Sequence, residues 1–372
     1  MRNHCQSRRA TRFVFCLTLA FATALTAWGQ HYNRVDLTTN LQSLAPMAQV
    51  DGHLVNAWGL TFSSTSPLWI ADNGSGVSTL YDGNGKPQSL VVTIPGPTQG
   101  TTSAPTGTVF NFTTTAFAVG GTAQTPGKPA LFLFVTEDGT ISGWNPNVNA
   151  TNAVIAKNRA GKAVYKGCAI AQTSNGPRFY ATNFQDGTVE VYDGNFNPVS
   201  LRPTAFTIPG IDQRFVPFNI QNVGGNLVVT FAFRQPGSTD EQHAPGLGWV
   251  AVFDADGNLL QKLQHGSFLN APWGVTVSPS HFGAFSRRLL IGNFGDGTIH
   301  AFNLFTGAFE GTLQGTNNQP LTIDGLWSLQ FGNDAHSASA LSLFFTAGPN
   351  DEKNGLFGKL TPVPTEQRGS TE

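Results

Sequence analysis

Charged side chains are scarce in this sequence, and basic ones nowhere form a run. Asp, Glu, Lys and Arg make up 12% of the 372 residues, and the formal net charge is −1. A nucleic-acid-binding surface needs clustered Lys and Arg to neutralise phosphates, so this composition argues against a nucleic-acid partner. Beyond the N-terminal leader, no segment stays apolar long enough to cross a membrane as a helix.

Known catalytic signatures are missing as well. The sequence contains no Gly-x-Ser-x-Gly elbow, no His-Glu-x-x-His pair and no phosphate-binding loop. Its histidines share no metal-ligand spacing. Glu241 and His243, which lie in a long polar segment, are the weak candidates for acid–base chemistry. Whether the chain is an enzyme therefore stays open.

The first 29 residues have the composition of a signal peptide. Four arginines precede an apolar stretch, residues 13–25, that is too short to span a bilayer as a stable helix. Ala27 and Gly29 provide the small residues that signal cleavage needs. We predict export to the periplasm or the cell exterior, with cleavage after Gly29 or after Ala27, by the general or the twin-arginine route. An uncleaved anchor is the alternative.

Cleavage would leave the mature chain with a single cysteine. Cys5 and Cys16 would be removed with the leader, and one remaining cysteine forms no internal disulfide. Cys168 lies in an apolar run, which favours a buried small side chain over a reactive thiol. Loss of the four leader arginines would also change the formal net charge from −1 to −5.

Against these absences stands a sixfold repeat of short strands joined by turns rich in Gly, Asp and Asn. Successive copies start 48 to 60 residues apart. The copies begin at Trp58-Gly59-Leu60, Thr106-Gly107-Thr108, Lys166-Gly167-Cys168, Phe218-Asn219-Ile220, Trp273-Gly274-Val275 and Trp327-Ser328-Leu329. A period of this kind is typical of propeller blades. We therefore predict an all-β fold, a six-bladed β-propeller.

The two ends of the repeat array complement each other. The last repeat lacks a fourth strand, whereas residues 34–38 form a strand with no repeat of their own. We predict that this N-terminal strand completes the sixth four-stranded blade and closes the ring, which also hides the sheet edges. The propeller would span residues 30–364, followed by a disordered tail, residues 365–372. A linear array of hairpins and a pair of sandwiches are the alternatives.

Propeller topology predicts which side chains share a face. The starts of the first strands and the turns between second and third strands lie together, so we expect a ligand there, beneath the long loop of residues 233–248. The candidate ligand-binding residues are Trp58, Lys166, Asn219, Trp273 and Asp324. The tryptophans also suit packing between blades. Lys166 suits an anionic ligand, but we favour an ion pair with Glu137 or Asp138.

The same face gathers side-chain oxygens of the kind that coordinate metal ions. The weak candidates for metal ligands are Asp72, Glu137, Asp138 and Asp351. Calcium, which takes about 6–8 oxygen ligands, is the cofactor that such donors suit, although no compact motif fixes it. Each of these residues taken alone is more often a turn cap that bonds a neighbouring backbone N–H group.

Seven segments spread over almost the whole mature chain are distinctive: Leu54-Val-Asn-Ala-Trp-Gly-Leu60, Ala71-Asp-Asn-Gly74, Thr136-Glu-Asp-Gly-Thr-Ile-Ser-Gly-Trp144, Tyr180-Ala-Thr-Asn-Phe184, Pro217-Phe-Asn-Ile-Gln-Asn222, Ile291-Gly-Asn-Phe-Gly-Asp-Gly297 and Phe345-Thr-Ala-Gly-Pro-Asn-Asp351. They resemble a family of uncharacterised secreted bacterial proteins with six-bladed, NHL-like propellers. The resemblance implies this fold but no established activity. Some members end in a sorting tail for cell-surface attachment, and residues 365–372 show no such apolar anchor. More distantly, the blade pattern resembles the calcium-dependent lactonase propellers.

Two functional hypotheses follow. In the first, the chain is an exported, monomeric scaffold that binds an extracellular protein, a glycan or a small molecule on its axial face. In the second, it is a divalent-metal-dependent hydrolase of the lactonase type. The missing catalytic signatures favour the first, but a fold alone decides neither.

Overall fold

The computed structural model describes residue 1 and residues 31–364, which form an all-β ring of six blades. The predicted leader, apart from residue 1, and the predicted tail lie outside the described residues. Within them, the one helical element is a 3-10 turn, Gly283–Phe285. The chain enters through β1 (His31–Thr39) and the short β2 (Gln49–Val50). No described segment forms a helix that is long and apolar enough to cross a membrane.

The first two blades follow the predicted order of strands. Blade 1 consists of β3 (Ala57–Thr61), β4 (Leu68–Asp72), β5 (Val77–Tyr81) and β6 (Val92–Thr93). The strands between residues 105 and 158 are β7 (Pro105–Phe110), β8 (Ala118–Val119), β9 (Lys128–Pro129), β10 (Phe132–Thr136), β11 (Thr140–Trp144) and β12 (Val154–Asn158). Blade 2 is the sheet of β7, β10, β11 and β12, and β8 and β9 form a separate small hairpin.

Blade 3 differs from the prediction of six four-stranded blades. It has three strands, β13 (Tyr165–Thr173), β14 (Gly176–Asn183) and β15 (Thr188–Asp193). Where a fourth strand was expected, only an isolated bridge joins Tyr192 to Pro198. Pro198 and Pro203 have no backbone N–H group to give to a ladder, so the segment that contains them cannot extend the sheet regularly.

The remaining blades complete the ring. Blade 4 contains β16 (Phe215–Val223), β17 (Asn226–Arg234), the two-residue β18 (Glu241–Gln242), β19 (Gly248–Phe253) and β20 (Leu259–Lys262). Blade 5 contains β21 (Pro272–Val277), β22 (Leu289–Asn293), β23 (Ile299–Phe302) and β24 (Phe309–Thr312). Blade 6 is built from β25 (Gln314–Gly315), β26 (Leu326–Phe331), β27 (Leu343–Ala347) and β28 (Leu356–Pro362), together with β1 and β2.

The ring is closed by the N-terminal strand, as the sequence predicts. Strand β1 pairs antiparallel with β28 over its length, from Tyr32 opposite Pro362 to Thr39 opposite Leu356. The strand is longer than the predicted residues 34–38 because residues 32, 33 and 39 also pair with β28 and residue 31 pairs with β25. Blade 6 therefore combines the two ends of the described chain in one sheet.

Hydrophobic burial lies mainly between blades. Six of the seven hydrophobic clusters formed by the described residues each join two neighbouring blades, as the cluster of Leu68, Ile70, Phe344 and Phe357 joins blades 1 and 6. The seventh lies on the axis. A propeller blade buries both faces of its sheet, so its strands are apolar on both sides. Cys168, 4% exposed, lies in one of these clusters, which confirms the buried side chain.

Glycine at the second position of the repeat triplets lets the inner strands approach closely. A Cβ atom on Gly59 would lie 2.4 Å from the carbonyl oxygen of Thr106 in the next blade, and one on Gly107 would lie 2.7 Å from the backbone nitrogen of Cys168. No larger residue fits at either position without displacing backbone. Four of the six triplets have glycine at this position, and these glycines permit the close approach of neighbouring inner strands.

Strand pairing also confirms the predicted sharing of faces. Ala57 at the start of β3 lies opposite Asp72 at the end of β4, and Tyr165 at the start of β13 lies opposite Asn183 at the end of β14. The starts of the inner strands and the turns between second and third strands therefore share one face, which we call the front face. The opposite side is the back face.

Candidate functional site

Aromatic side chains fill the axis of the ring just inside the front face. Trp58 of blade 1 stacks on Trp327 of blade 6 with ring centroids 3.6 Å apart. Trp273 of blade 5 meets both rings edge-on, at 6.4 and 5.9 Å. Phe218 and Phe184 complete this aromatic floor, and all five rings are at most 4% exposed. The two tryptophans that the sequence selected as ligand-binding candidates therefore pack across the axis and form the base of the site.

Lys166 stands on this floor, and it is only 2% exposed. Its Nζ lies 5.3 Å from the centroid of Trp58 and 5.8 Å from that of Phe184. The ammonium donates to Oε1 of Glu137 at 2.5 Å and to Oδ1 of Asp240 at 3.1 Å. Of the two ion-pair partners expected for Lys166, Glu137 is therefore the right one. Burial disfavours the charged ammonium, but Glu137, Glu241 and Asp240 outweigh it and hold the pKa of Lys166 above its usual value.

Four carboxylates interact electrostatically with this one cation, and two of them, Glu137 and Asp240, contact it directly. Glu137, Asp240 and Glu241 all act electrostatically on Lys166, and Lys166 in turn acts on Glu352. Glu137 lies in the turn after β10 of blade 2, and Glu352 lies in the turn after β27 of blade 6. Asp240 lies in the connection between β17 and β18 of blade 4, and Glu241 is the first residue of β18. We call these four residues with Lys166 the axial cluster. Fully ionised, it carries a net charge of −3.

Asparagine side chains link two of the acids to the aromatic floor. Asn56 Nδ2 donates to Glu352 Oε2 at 2.6 Å, and Asn73 Nδ2 donates to Glu137 Oε2 at 2.9 Å. The Nε1 group of Trp327 donates to Oδ1 of Asn56 at 2.9 Å, which fixes the orientation of that amide. The two glutamates are therefore held in defined positions rather than left free to rotate.

The protonation of the cluster is sensitive to pH near neutrality. Burial, with a further contribution from Glu241, raises the pKa of Glu352 from 4.5 to about 7. Burial also raises the pKa of Glu241, against the opposing effect of Lys166. The Glu241 carboxylate receives no hydrogen bond from another residue of the described chain. Two neighbouring acids are thus less stable in the charged form than they would be in water.

The long loop of blade 4 covers the cluster, as predicted. Strand β17 continues through Arg234, whose guanidinium donates to the backbone oxygens of Phe184 and Gln185 and lies over the Phe184 ring. The loop then brings Asp240, whose side chain is 74% exposed, onto Lys166. His243 is exposed and meets the ring of Phe294 edge-on at 6.1 Å. Of the two acid–base candidates, Glu241 belongs to the axial cluster and His243 lies over blade 5.

Two further ligand-binding candidates lie away from the cluster. Asn219 is 4% exposed, and its Nδ2 donates to the backbone oxygen of Trp273 at 2.8 Å, which ties blade 4 to blade 5. Asp324 lines a separate front-face cleft of about 470 Å³ that it shares with Arg34 and Asn350. Its Oδ2 accepts from the backbone nitrogen of Asn350. Asn219 thus braces the ring from within.

The structure does not bring the four metal-ligand candidates together. Asp72 is fully buried, and its Oδ2 accepts from the backbone nitrogen and Oγ1 of Thr79. Asp138 accepts from the backbone nitrogen of Ala104, and Asp351 faces solvent 3.5 Å from Lys353. Across residues 31–364 there is no group of three or more His, Cys, Asp or Glu side chains placed to share a metal ion. The hydrolase hypothesis stays a prediction, which metal analysis of the purified protein tests.

Sequence reasoning did not select Asn56, Asn73 or Glu352 as site residues. The signal that was available for Glu352 is its position: it follows the second strand of its blade, as Glu137 does. Asn56 lies two residues before the ring tryptophan of blade 1, with a left-handed φ of 48° that asparagine tolerates better than most residues. The positions of Glu352 and Asn56 point to the site only when the sequences of the six blades are aligned with one another.

Comparisons with known proteins bear on the family and on the fold. No family model matches the chain. The uncharacterized protein R648 of Acanthamoeba polyphaga mimivirus is 30% identical over 343 residues, covering 91% of this chain and 81% of that protein. A structural genomics protein of unknown function from Bacteroides thetaiotaomicron superposes with a TM-score of 0.53 at 10% identity, covering 89% of this chain and 76% of that one. A glucose dehydrogenase superposes with a TM-score of 0.50 at 12% identity, covering 88% and 98%.

The two solved structures are similar in fold alone, because identities near 10% say nothing about the site. None of these comparisons tests the bacterial origin or the export that the sequence predicts. The relationship to the viral protein is close enough, and long enough, to define a family. This chain belongs to the same family as the uncharacterized mimivirus protein R648.

Proposed function

We propose that this chain is an exported binding scaffold whose front face recognises a ligand with a positively charged group, an amine or a guanidinium, at the axial cluster. The observation that supports the proposal is the imbalance of charge, with four carboxylates converging on a single buried lysine. Buried or half-buried acids in excess of their counter-ions are unfavourable for the free protein, and a bound cation relieves that cost.

The ligand cation would bind between Glu241 and Glu352. Lys166 already pairs with Glu137 and Asp240, whereas Glu241 has no partner from another described side chain and Glu352 has only Asn56. The pKa of each of these two acids is raised in part because other carboxylates lie nearby. A second ammonium or guanidinium at this point would complete a network of alternating charge above the aromatic floor.

The experiment is a calorimetric titration with three defined probes: butylamine, putrescine and agmatine. The uncharged 1,4-butanediol serves as the matched control for the charge of putrescine. We expect saturable binding of at least one cation and none of the diol. Glu241→Gln and Glu352→Gln should each weaken binding about tenfold, the effect of losing one hydrogen bond to a charged group.

Asp351→Asn provides the control variant. Asp351 is the neighbour of Glu352, but its side chain is 93% exposed and pairs only with Lys353. This variant loses the same charge on the same face and should bind as the wild type does. If all three probes fail to saturate, or if Asp351→Asn weakens binding as much as Glu241→Gln, the axial cluster is not the site. Thermal melts confirm that each variant is folded.

A further inference from the structure

The back face carries two adjoining clefts of different chemical character, at blade 5 and at its border with blade 4. The first, of about 810 Å³, lies between the β21–β22 connection and the β23–β24 turn, and its lining includes His281, Arg287 and Arg288. The second, of about 370 Å³, lies over the border of blades 4 and 5, and its lining includes Val223, Val252 and Leu260. Leu304 and Phe305 line both.

The cation-lined cleft contains an unused positive charge. Arg288 is occupied, since it pairs with Glu310 and donates to the backbone oxygen of Ser286. The guanidinium of Arg287 is exposed and has no hydrogen-bond or ion-pair partner among residues 31–364. His281 is exposed beside it, with its ring bonded only to Ser280. In a chain with few charged residues, this cleft therefore offers donors for an anion.

The adjoining cleft offers exposed apolar surface. Phe305 is 92% exposed and Leu260 is 54% exposed, although both are large apolar side chains. Phe305 lies in the turn between β23 and β24 of blade 5, Leu260 lies in β20 of blade 4, and both line the same groove. The two clefts together form a groove with a positive end and an apolar end, joined at Phe305.

We propose that this groove binds an anionic amphiphile, a carboxylate carried on a hydrocarbon chain. The carboxylate would accept hydrogen bonds from Arg287, and the chain would lie along Phe305, Leu304 and Leu260 toward the border of blades 4 and 5. A planar guanidinium suits a carboxylate because two N–H groups donate in parallel. This site is separate from the axial cluster, on the other face of the ring, and does not depend on the front-face ligand.

The test is a calorimetric titration with octanoate, kept below its micelle concentration, and with two probes that each retain half of its chemistry. Acetate keeps the charge and loses six methylene groups, and 1-octanol keeps the chain and loses the charge. We expect saturable binding of octanoate, binding of acetate at least about 100-fold weaker, and binding of 1-octanol about tenfold weaker than octanoate.

Three variants assign the two ends of the groove. Arg287→Gln should weaken octanoate about tenfold and leave 1-octanol unchanged, whereas Phe305→Ala should weaken both. Lys353→Gln removes the same charge from the front face, where Lys353 is 74% exposed, and should change neither. Absence of saturable octanoate binding, or an equal affinity in the wild type and Arg287→Gln, would overturn the proposal. Loss of octanoate binding in Lys353→Gln would show that binding depends on general charge attraction, and this result would also overturn the proposal.

Discussion

The front-face turns of alternate blades are built in two different ways. In blades 1, 3 and 5, a polar residue at the end of the second strand bonds the residue seven positions later in the third strand. The pairs are Asp72 with Thr79, Asn183 with Glu190 and Asn293 with His300. In blades 2, 4 and 6, the turn instead sends a carboxylate toward the axis, from Glu137, from Asp240 and Glu241, and from Glu352.

This alternation separates polar side chains that are bonded within their own blade from acidic side chains that are directed toward the axis. The turns of blades 1, 3 and 5 bond polar groups of their own blade, as where Glu190 accepts from Tyr165, Tyr192 and Asn183 at once, although Oδ1 of the buried Asp72 has no hydrogen-bond partner among the described residues. In blades 2, 4 and 6, the carboxylates are bonded by side chains from other blades. Glu137 accepts from Lys166 and Asn73, Asp240 accepts from Lys166, and Glu352 accepts from Asn56. Whether a polar residue on the front face is available to a ligand can therefore be judged only after its hydrogen-bond partners within the protein are known.

The largest effect is expected from removal of the shared cation. Lys166→Met leaves the carboxylates of blades 2, 4 and 6 without their common partner, and loss of one member of a buried pair costs about 3–5 kcal/mol. Urea denaturation at pH 7 measures the loss. The cost should shrink at pH 5, where Glu352 takes up a proton, and in the double variant Lys166→Met/Glu137→Gln. A pH-independent loss would mean that Lys166 acts through packing alone.

A smaller loss of stability is expected from the closed turn of blade 3. Glu190→Ala removes the shared acceptor of the Tyr165 and Tyr192 hydroxyls and the ion-pair partner of Arg159, which should cost about 2–3 kcal/mol. Binding of cations at the front face should stay unchanged, as measured by calorimetry on the folded variant. A change in cation affinity greater than about twofold would show that the two kinds of turn are not independent.

The buried histidine of blade 5, His300, should make the stability of the protein depend on pH. Burial lowers the pKa of His300 to about 4, so between pH 4 and 6.5 the unfolded chain binds more protons than the folded one. Stability from this group is present above pH 6.5 and is lost as the pH falls. We expect a loss of about 2 kcal/mol at pH 5 that is absent from His300→Gln. Parallel stability curves for the two proteins would contradict this assignment.

Glu352 in blade 6 should produce the opposite slope. Its pKa is raised to about 7, so between pH 4.5 and 7 the folded chain binds more protons than the unfolded one, and stability falls as the pH rises. Because the side chain is half-buried, we expect a loss of only about 1 kcal/mol between pH 5 and 8. The difference between wild type and Glu352→Gln isolates this contribution. A difference that grows toward low pH would have the wrong sign.

The architecture could be predicted from the sequence because it is repeated. The six repeat triplets mark the inner strand of each blade, where neighbouring strands approach closely. The last repeat lacks a fourth strand, and this indicates where residues 34–38 must pair. The three-stranded blade 3 could not be predicted as readily, because the Pro198 segment still spans the right length for a fourth strand. The sequence period therefore predicts the number of blades more reliably than the number of strands in each blade.

The site was predictable only as a region. The sequence predicted that Lys166 pairs with Glu137 or Asp138, since opposite charges on one face usually pair, and the structure shows Glu137. It could not separate Asp72, closed off by Thr79, from Glu352, aimed at the axis, because both are acids near the end of a second strand. That distinction depends on the direction of each turn, which composition does not record.

The pairing of β1 with β28 has a consequence for the order of folding. The first strand of the described chain reaches its partner only when residues 356–362 are present, so this pairing joins segments separated by more than 300 residues. Contacts of such long range form slowly, and until they form both strands expose unpaired edges. During synthesis, the ring must remain open to solvent, and to other chains, until almost its last blade has emerged from the ribosome.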